Sequence, residues 1–71
     1  MNEMTILETA IRHMDDGKFD LAVAVLRQSK KKRCLDTAMH LEGQRRSPNR
    51  VIMDGLLHVL RDGLEIERAL Q

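Results

Sequence analysis

The stretch Phe19–Glu42, FDLAVAVLRQSKKKRCLDTAMHLE, decides the fold of this 71-residue chain. Apolar residues recur at helical spacing in its first and last thirds, but every residue between them, over Arg27–Arg33, is polar. That polar part contains no glycine or proline, and most of its residues are good helix formers. We therefore predict one long helix over Phe19–Glu42 with a polar waist. Two shorter helices are the alternative.

The same waist opens a basic segment, Arg27–Arg50. Eight basic residues against two acidic ones give this segment a net charge of +6, whereas the residues before it carry −3 and those after it −2. The overall charge of +1 therefore conceals a positive centre between two acidic arms. Segregated charge of this kind makes a local field that attracts polyanions, whereas a uniform spread only aids solubility.

The residues before this stretch predict a first helix and a tight turn. Apolar residues spaced 3, 4 and 3 apart form one face of a helix from about Thr5 to Met14. Thr5 is the predicted N-cap, because a glutamate follows it three residues later. Gly17 suits the left-handed conformation that follows many helices. We therefore expect a helical hairpin that turns at Gly17.

The turn itself, Gly17-Lys18-Phe19-Asp20-Leu21-Ala22, resembles the inter-helix turn of tetratricopeptide-type repeats, in which a glycine and an aromatic residue precede a small one. The chain contains no second copy of the pattern, and a repeat array needs about three units. The resemblance therefore implies shared turn chemistry at a helical hairpin.

The residues after the basic segment predict the longest helix. Ser47 and Pro48 are a typical start, with serine as the N-cap and proline in the first helical position, and the helix continues to about Ala69. It carries two apolar seams with alternating spacings of 4 and 3. Two seams are more than one hairpin covers, so we predict that one packs on the chain's own hairpin and the other on a second subunit. The predicted dimer interface comprises Ile52, Leu56, Val59, Leu60, Leu64 and Ile66.

Together these elements predict an all-α fold in one small domain over residues 1–71. It consists of a helical hairpin plus a long C-terminal helix, assembled as a dimeric helical bundle. The size and order of the elements are similar, in architecture alone, to those of the small dimeric double-stranded-RNA-binding silencing suppressors of insect nodaviruses.

The sequence contains no pattern typical of catalysis, metal binding or cofactor binding. His40 and His58 each have an aspartate four residues away, which is ordinary surface pairing on a helix. Cys34 is the only cysteine and lacks the paired ligands of a zinc site. We expect it to fill the core, and a redox role stays open if it is exposed beside the basic residues. We predict a non-enzymatic protein without metal or cofactor.

The same residues bear on cellular location. A single thiol and the lack of a signal peptide predict a cytoplasmic or nuclear protein that is not secreted. The longest apolar run has six residues, far fewer than a membrane helix needs, so we expect no membrane partner.

The basic segment carries the functional prediction. We expect a small regulatory protein that binds the phosphate backbone of a nucleic-acid duplex. No aromatic residue interleaves the basic ones, which argues against base stacking on single strands. One alternative is a protein-binding adaptor or inhibitor that docks a Leu/Met helical face on a larger protein. Another is a merely solvated surface. The predicted nucleic-acid contacts are Arg27, Lys30, Lys31, Arg33, Arg45, Arg46 and Arg50.

Overall fold

A computed structural model describes all 71 residues and contains four α-helices and no strand. The helices are α1 (Glu3–Asp15), α2 (Phe19–Leu26), α3 (Lys32–Gly43) and α4 (Arg50–Ala69). The all-α prediction is confirmed, with four helices in place of three. Gly17, between α1 and α2, has a φ of 74°. This is the left-handed conformation predicted for that position.

Each helix packs on the next along the chain, and α4 packs back on α1. Neighbouring helices run antiparallel. The start of α1 meets the linker after α2 through Glu3 and Lys30, and the start of α2 meets the loop after α3 through Asp20 and Arg45. Arg33, at the start of α3, lies against the second half of α4. The α2–α3 linker therefore lies at one end of the molecule, and the α3–α4 loop lies at the other.

The continuous helix predicted over Phe19–Glu42 is wrong, because α2 ends at Leu26 and α3 begins at Lys32. The break is made by Ser29, a polar residue that is buried. Its hydroxyl donates a hydrogen bond to the Glu3 carboxylate (2.5 Å) and accepts one from the Lys31 amide (3.0 Å). A tertiary contact with α1 thus overrides a local preference for helix. The three-helix order that resembled the viral suppressors is not the order of this chain.

Asparagines cap α1 and α4, at positions that differ from the two predicted N-caps, Thr5 and Ser47. Asn2, and not Thr5, caps α1, since its side chain accepts a hydrogen bond from the Thr5 amide at 2.8 Å. Asn49 caps α4 by accepting from the Ile52 amide at 3.1 Å, so Pro48 precedes the helix. Asparagine and threonine both serve as N-caps, and the local pattern does not decide which of two neighbouring candidates is used.

One apolar core runs through all four helices and contains 13 buried residues. These residues are Ile6, Leu7, Ala10, Met14, Ala22, Val23, Val25, Leu26, Cys34, Ala38, Leu41, Leu60 and Leu64. Leu60 and Leu64 come from one seam of α4. This seam therefore packs on the chain's own helices, as predicted for one of the two seams. No helix here is long and apolar enough to cross a membrane.

Candidate nucleic-acid interface

Four consecutive basic residues, Lys30–Arg33, form the turn that opens α3 and are here termed the basic turn. The backbone of this turn is held in place from α1. Glu3 accepts a hydrogen bond from the Lys30 amide at 3.1 Å, and the Ser29 hydroxyl links Glu3 to the Lys31 amide. All four basic side chains are exposed. The turn therefore presents four cations to solvent from a fixed backbone.

The basic turn places positive charge at the positive end of a helix dipole. Lys31 is the N-cap residue of α3 and makes no capping hydrogen bond with its side chain, and the first turn of α3 contains no acidic residue. The amides of Lys32 and Arg33 have no acceptor within the chain. Cations at this position are unfavourable by a few tenths of a kcal/mol or more each, whereas anions are favoured there. The local chemistry therefore favours an anionic ligand.

Two carboxylates offset part of this charge. Nζ of Lys31 lies 3.9 Å from Oε1 of Glu67. The hydrogen bond from Ser29 holds the pKa of Glu3 below its usual range, against a smaller opposing effect of burial, and the Lys30 amide also lowers it. Lys30, Lys32 and Arg33 form no ion pair within the chain. Three of the four cations are therefore available to a ligand.

Arg33 lies across α4 where a glycine makes room for it. Its Cδ and Nη1 atoms lie 2.9 Å from the position that a Cβ on Gly63 would occupy. Arg33 thus packs on α4 through the end of its stem and one edge of its guanidinium, while the residue as a whole stays exposed. Gly63 is buried beneath it. The absence of a side chain at Gly63 therefore helps to set the position of Arg33.

Three predicted contacts lie at the other end of the molecule. Arg45, Arg46 and Arg50 follow α3, whose 12 residues span about 18 Å. Arg45 pairs with Asp20 at 3.3 Å. The structure therefore does not bring these arginines together with the basic turn.

Arg27 is also engaged elsewhere, because its guanidinium pairs with the carboxylate of Glu42 on α3. Of the seven predicted contacts, Lys30, Lys31 and Arg33 lie together at the start of α3, whereas Arg27 lines a different cavity with Arg45. Lys32 is a residue of this surface that sequence reasoning missed. In a continuous helix four successive side chains point to different sides, so the sequence did not predict that Lys32 would share a surface with its neighbours. Ser29 is the signal that could have placed the break, since it is the weakest helix former between Arg27 and Arg33.

Cys34 lies directly behind the basic turn and is buried, which confirms its predicted place in the core. Burial raises the pKa of its thiol, and the hydrogen bond with Ser29 acts more weakly in the opposite direction. Because the thiolate is the reactive form, a buried and protonated thiol reacts slowly. The exposed setting that would have suited a redox role is absent.

The six predicted interface residues on α4 separate into two groups. Leu60 and Leu64 are buried in the chain's own core. Ile52, Val59 and Ile66 are 40–47% exposed, and Leu56 is half-buried. Only the second group is free to contact another molecule.

The largest cavity, about 630 Å³, lies at the end remote from the basic turn. Its apolar lining includes Phe19, Leu41 and Met53, and Lys18 and Arg45 line it as well. Phe19 is the only aromatic residue of the chain. No aromatic side chain therefore lies at the basic turn to stack on a base.

Comparison with known proteins adds no relative. The chain matches no protein-family model, and no curated protein and no solved structure is significantly similar to it.

Proposed function

We propose that this protein is a small non-enzymatic regulator that binds the phosphate backbone of a nucleic-acid duplex through the basic turn. One observation carries the proposal: the turn holds four cations on a fixed backbone, beside two free amides at the positive end of α3. Natural sequences depart from local rules chiefly at functional sites. Bound phosphate would reverse the unfavourable charge at the start of α3.

The chemistry of the turn supports backbone contact over base reading. Lysine and arginine neutralise phosphates without regard to sequence. Recognition of single strands uses aromatic side chains as stacking platforms, and Phe19 lies at the opposite end of the molecule. We therefore expect similar affinity for different duplex sequences. The cytoplasmic or nuclear location expected from the single thiol would give the protein access to such duplexes.

Titration of labelled duplex DNA and RNA at two salt concentrations tests the proposal. The informative variant is Lys30→Ala with Lys32→Ala, since neither lysine forms an ion pair within the chain. On DNA, each lost phosphate contact should reduce the log–log salt slope by about 0.9. The double variant should therefore bind more weakly and with less salt dependence.

A matched control is Arg46→Ala with Arg50→Ala. This pair removes the same charge from unpaired side chains at the opposite end. The control should retain most of the affinity. Equal losses in the two double variants would show that only net charge matters. Failure of the wild-type protein to bind at low salt would reject the function outright.

A protein-binding adaptor is the second candidate, and exposed apolar residues on α3 favour it. Leu35 and Met39 are 42% and 62% exposed and lie four residues apart, on one face of the helix. A flexible Met-containing surface adapts to partners. This function predicts a complex that survives nuclease treatment and high salt and is lost when Leu35 and Met39 are both changed to serine.

The homodimer predicted from the two seams also remains a proposal. A dimer would double the basic turn, and each added phosphate contact strengthens the dependence on salt. The exposed residues of α4 are the surface available for it.

A further inference from the structure

A second cavity lies beside the basic turn, between α1, the start of α3 and the end of α4. Its volume is about 280 Å³, just below the range of roughly 300–1,000 Å³ that is typical of sites for small ligands. Of the four apolar residues that line it, Leu7 and Cys34 are almost fully buried, whereas Ile66 and Leu70 are 47% and 74% exposed. This cavity, here termed the turn cavity, therefore has a buried apolar floor and an apolar wall that is open to solvent.

The other four residues that line the turn cavity are charged, and positive charge prevails. Lys31, Lys32 and Arg33 belong to the basic turn, and Glu67 is the only carboxylate. Three cations and one carboxylate give the lining a net charge of +2. Glu67 offsets Lys31, since its Oε1 lies 3.9 Å from the Nζ of that lysine. Lys32 and Arg33 therefore have no opposing charge in the cavity.

Two contacts with α4 hold cations next to the apolar wall. Cδ and Nη1 of Arg33 lie against Gly63, and Lys31 lies beside Glu67. These two α4 residues are four apart, so they lie about one helical turn from each other on one face of the helix. Ile66 belongs to the same turn of α4. An anionic group between the two cations would therefore be close to an apolar surface.

We propose that the turn cavity binds a small phosphate monoester, whose apolar group fills the cavity while its phosphate contacts the basic turn. The phosphate of a monoester carries a charge of about −1.5 to −2 at neutral pH, which matches the net charge of the lining. The two free amides at the start of α3 add donors for its oxygens. An apolar group the size of one aromatic ring fits, because a dry cavity of about 150 Å³ already holds benzene.

The lining selects for a ligand that has both parts. Inorganic phosphate would leave the apolar floor and wall without contacts. A neutral apolar molecule would leave Lys32 and Arg33 without an anionic partner. A ligand that joins an apolar group to a phosphate satisfies both halves of the cavity at once, so its affinity should exceed that of either part alone.

The consequence for regulation rests on the proposed function. A phosphate monoester in the turn cavity would occupy Lys31, Lys32 and Arg33, three of the four cations of the basic turn. The same cations are the ones proposed to contact a duplex. The small ligand and the duplex would therefore compete, and the ligand would release the protein from nucleic acid.

Titrations followed by nuclear magnetic resonance test the cavity with three probes: phenyl phosphate, inorganic phosphate and benzyl alcohol. Phenyl phosphate should bind roughly tenfold or more tightly than either of the others, because only it fills both halves of the site. The methyl resonances of Ile66 and Leu70 should shift. Those of Val51, which is 80% exposed at the start of α4 and lines no cavity, should not. Equal affinities for phenyl phosphate and inorganic phosphate would overturn the proposal.

Two pairs of variants test the apolar wall and the carboxylate. Leu70→Ser should weaken the binding of phenyl phosphate by roughly fivefold, while Val51→Ser, at a similarly exposed position, should not. Glu67→Gln should strengthen it by roughly threefold, because it removes the one negative charge of the lining. Glu65→Gln, on the same helix but outside the cavity, should leave it unchanged. A gain in affinity cannot come from damage to the fold, so equal effects within either pair would contradict this site.

A third pair distinguishes the turn cavity from the larger cavity at the opposite end. Lys32→Ala should weaken the binding of phenyl phosphate by roughly threefold or more. Lys18→Ala, which removes a lysine from the lining of the larger cavity, should not. The reverse result would place the ligand in the larger cavity and reject the proposal. These titrations contain no nucleic acid, so their failure leaves the duplex-binding proposal standing. A protein that binds phenyl phosphate but no duplex would reject only the proposed function.

Discussion

Both ends of the molecule carry several basic residues, but the two ends differ in the carboxylates that surround them. At the basic turn, four cations meet only the carboxylates of Glu3 and Glu67. At the opposite end the carboxylates are more numerous, and Asp15, Asp20 and Glu42 pair with Arg61, Arg45 and Arg27. The sequence therefore gives the position of each charge along the chain, but the fold decides which charges lie beside a residue of opposite charge. An unbalanced group on a fixed backbone suits an anionic ligand, whereas a balanced group stabilises the surface or does little.

The largest expected effect comes from a change in the apolar core, on which both ends of the molecule depend. Leu60 is fully buried at the centre of the core, so Leu60→Ala should lower the free energy of unfolding by about 2–5 kcal/mol. Val59→Ala, one residue earlier, should cost less than about 1.5 kcal/mol, because Val59 is partly exposed. Urea denaturation monitored by circular dichroism measures both changes. A comparable loss in the two variants would show that α4 is not oriented as described.

The core was largely predictable from the sequence, and the reason is periodicity. Apolar residues at spacings of 3 and 4 assign the inner face of α4 wherever the helix begins, so Leu60 and Leu64 were expected to be covered. What the sequence did not show is which molecule covers them, because a seam on a neighbouring helix and a seam on a second subunit have the same pattern.

The basic turn was predictable in charge but not in shape. Lysine, arginine and glutamine favour helix, so local propensity predicted a continuous helix through the waist. The break depends on a hydrogen bond from Ser29 to Glu3, a residue far away in the sequence. Tertiary contacts of this kind leave no periodic signal. The predicted site therefore contained Lys30, Lys31 and Arg33 but omitted Lys32 and included arginines from the other end.

The second-largest effect is expected from Ser29→Ala, which removes hydrogen bonds only at the end that carries the basic turn. Ser29→Ala leaves the Lys31 amide without its acceptor and Glu3 without one donor, so it should cost about 1–3 kcal/mol. It should also weaken duplex binding, since the turn loses its fixed backbone. Ser47→Ala, at an exposed position in the α3–α4 loop, should change stability by less than about 0.5 kcal/mol. Chemical denaturation of the two variants supplies the test, and equal losses would contradict a special role for Ser29.

The third effect is a pH dependence confined to the basic end. The pKa of Glu3 is lowered in the folded protein, chiefly by the hydrogen bond from Ser29. A lowered carboxyl pKa contributes stability that is fully present above the ordinary glutamate pKa of about 4.3 and is lost as the pH falls through the folded value. The wild-type protein should therefore lose more stability than Glu3→Gln between neutral pH and pH values below that range. Parallel acid titrations of unfolding would refute this if the two curves kept a constant separation.

The smallest effect compares two glycines on one helix. Gly55 has open space where a Cβ would lie, so Gly55→Ala should stabilise α4 by about 1 kcal/mol through helix propensity alone. Gly63→Ala gains the same propensity, but its Cβ would lie 2.9 Å from two atoms of the Arg33 side chain. That side chain is flexible, so it should move aside and cancel only part of the gain. Because Arg33 then leaves its position on α4, Gly63→Ala should weaken duplex binding while Gly55→Ala does not. Thermal denaturation and duplex titration of both variants separate these contributions. Equal stabilisation with unchanged binding in both would show that the position of Arg33 on α4 does not matter to the basic turn.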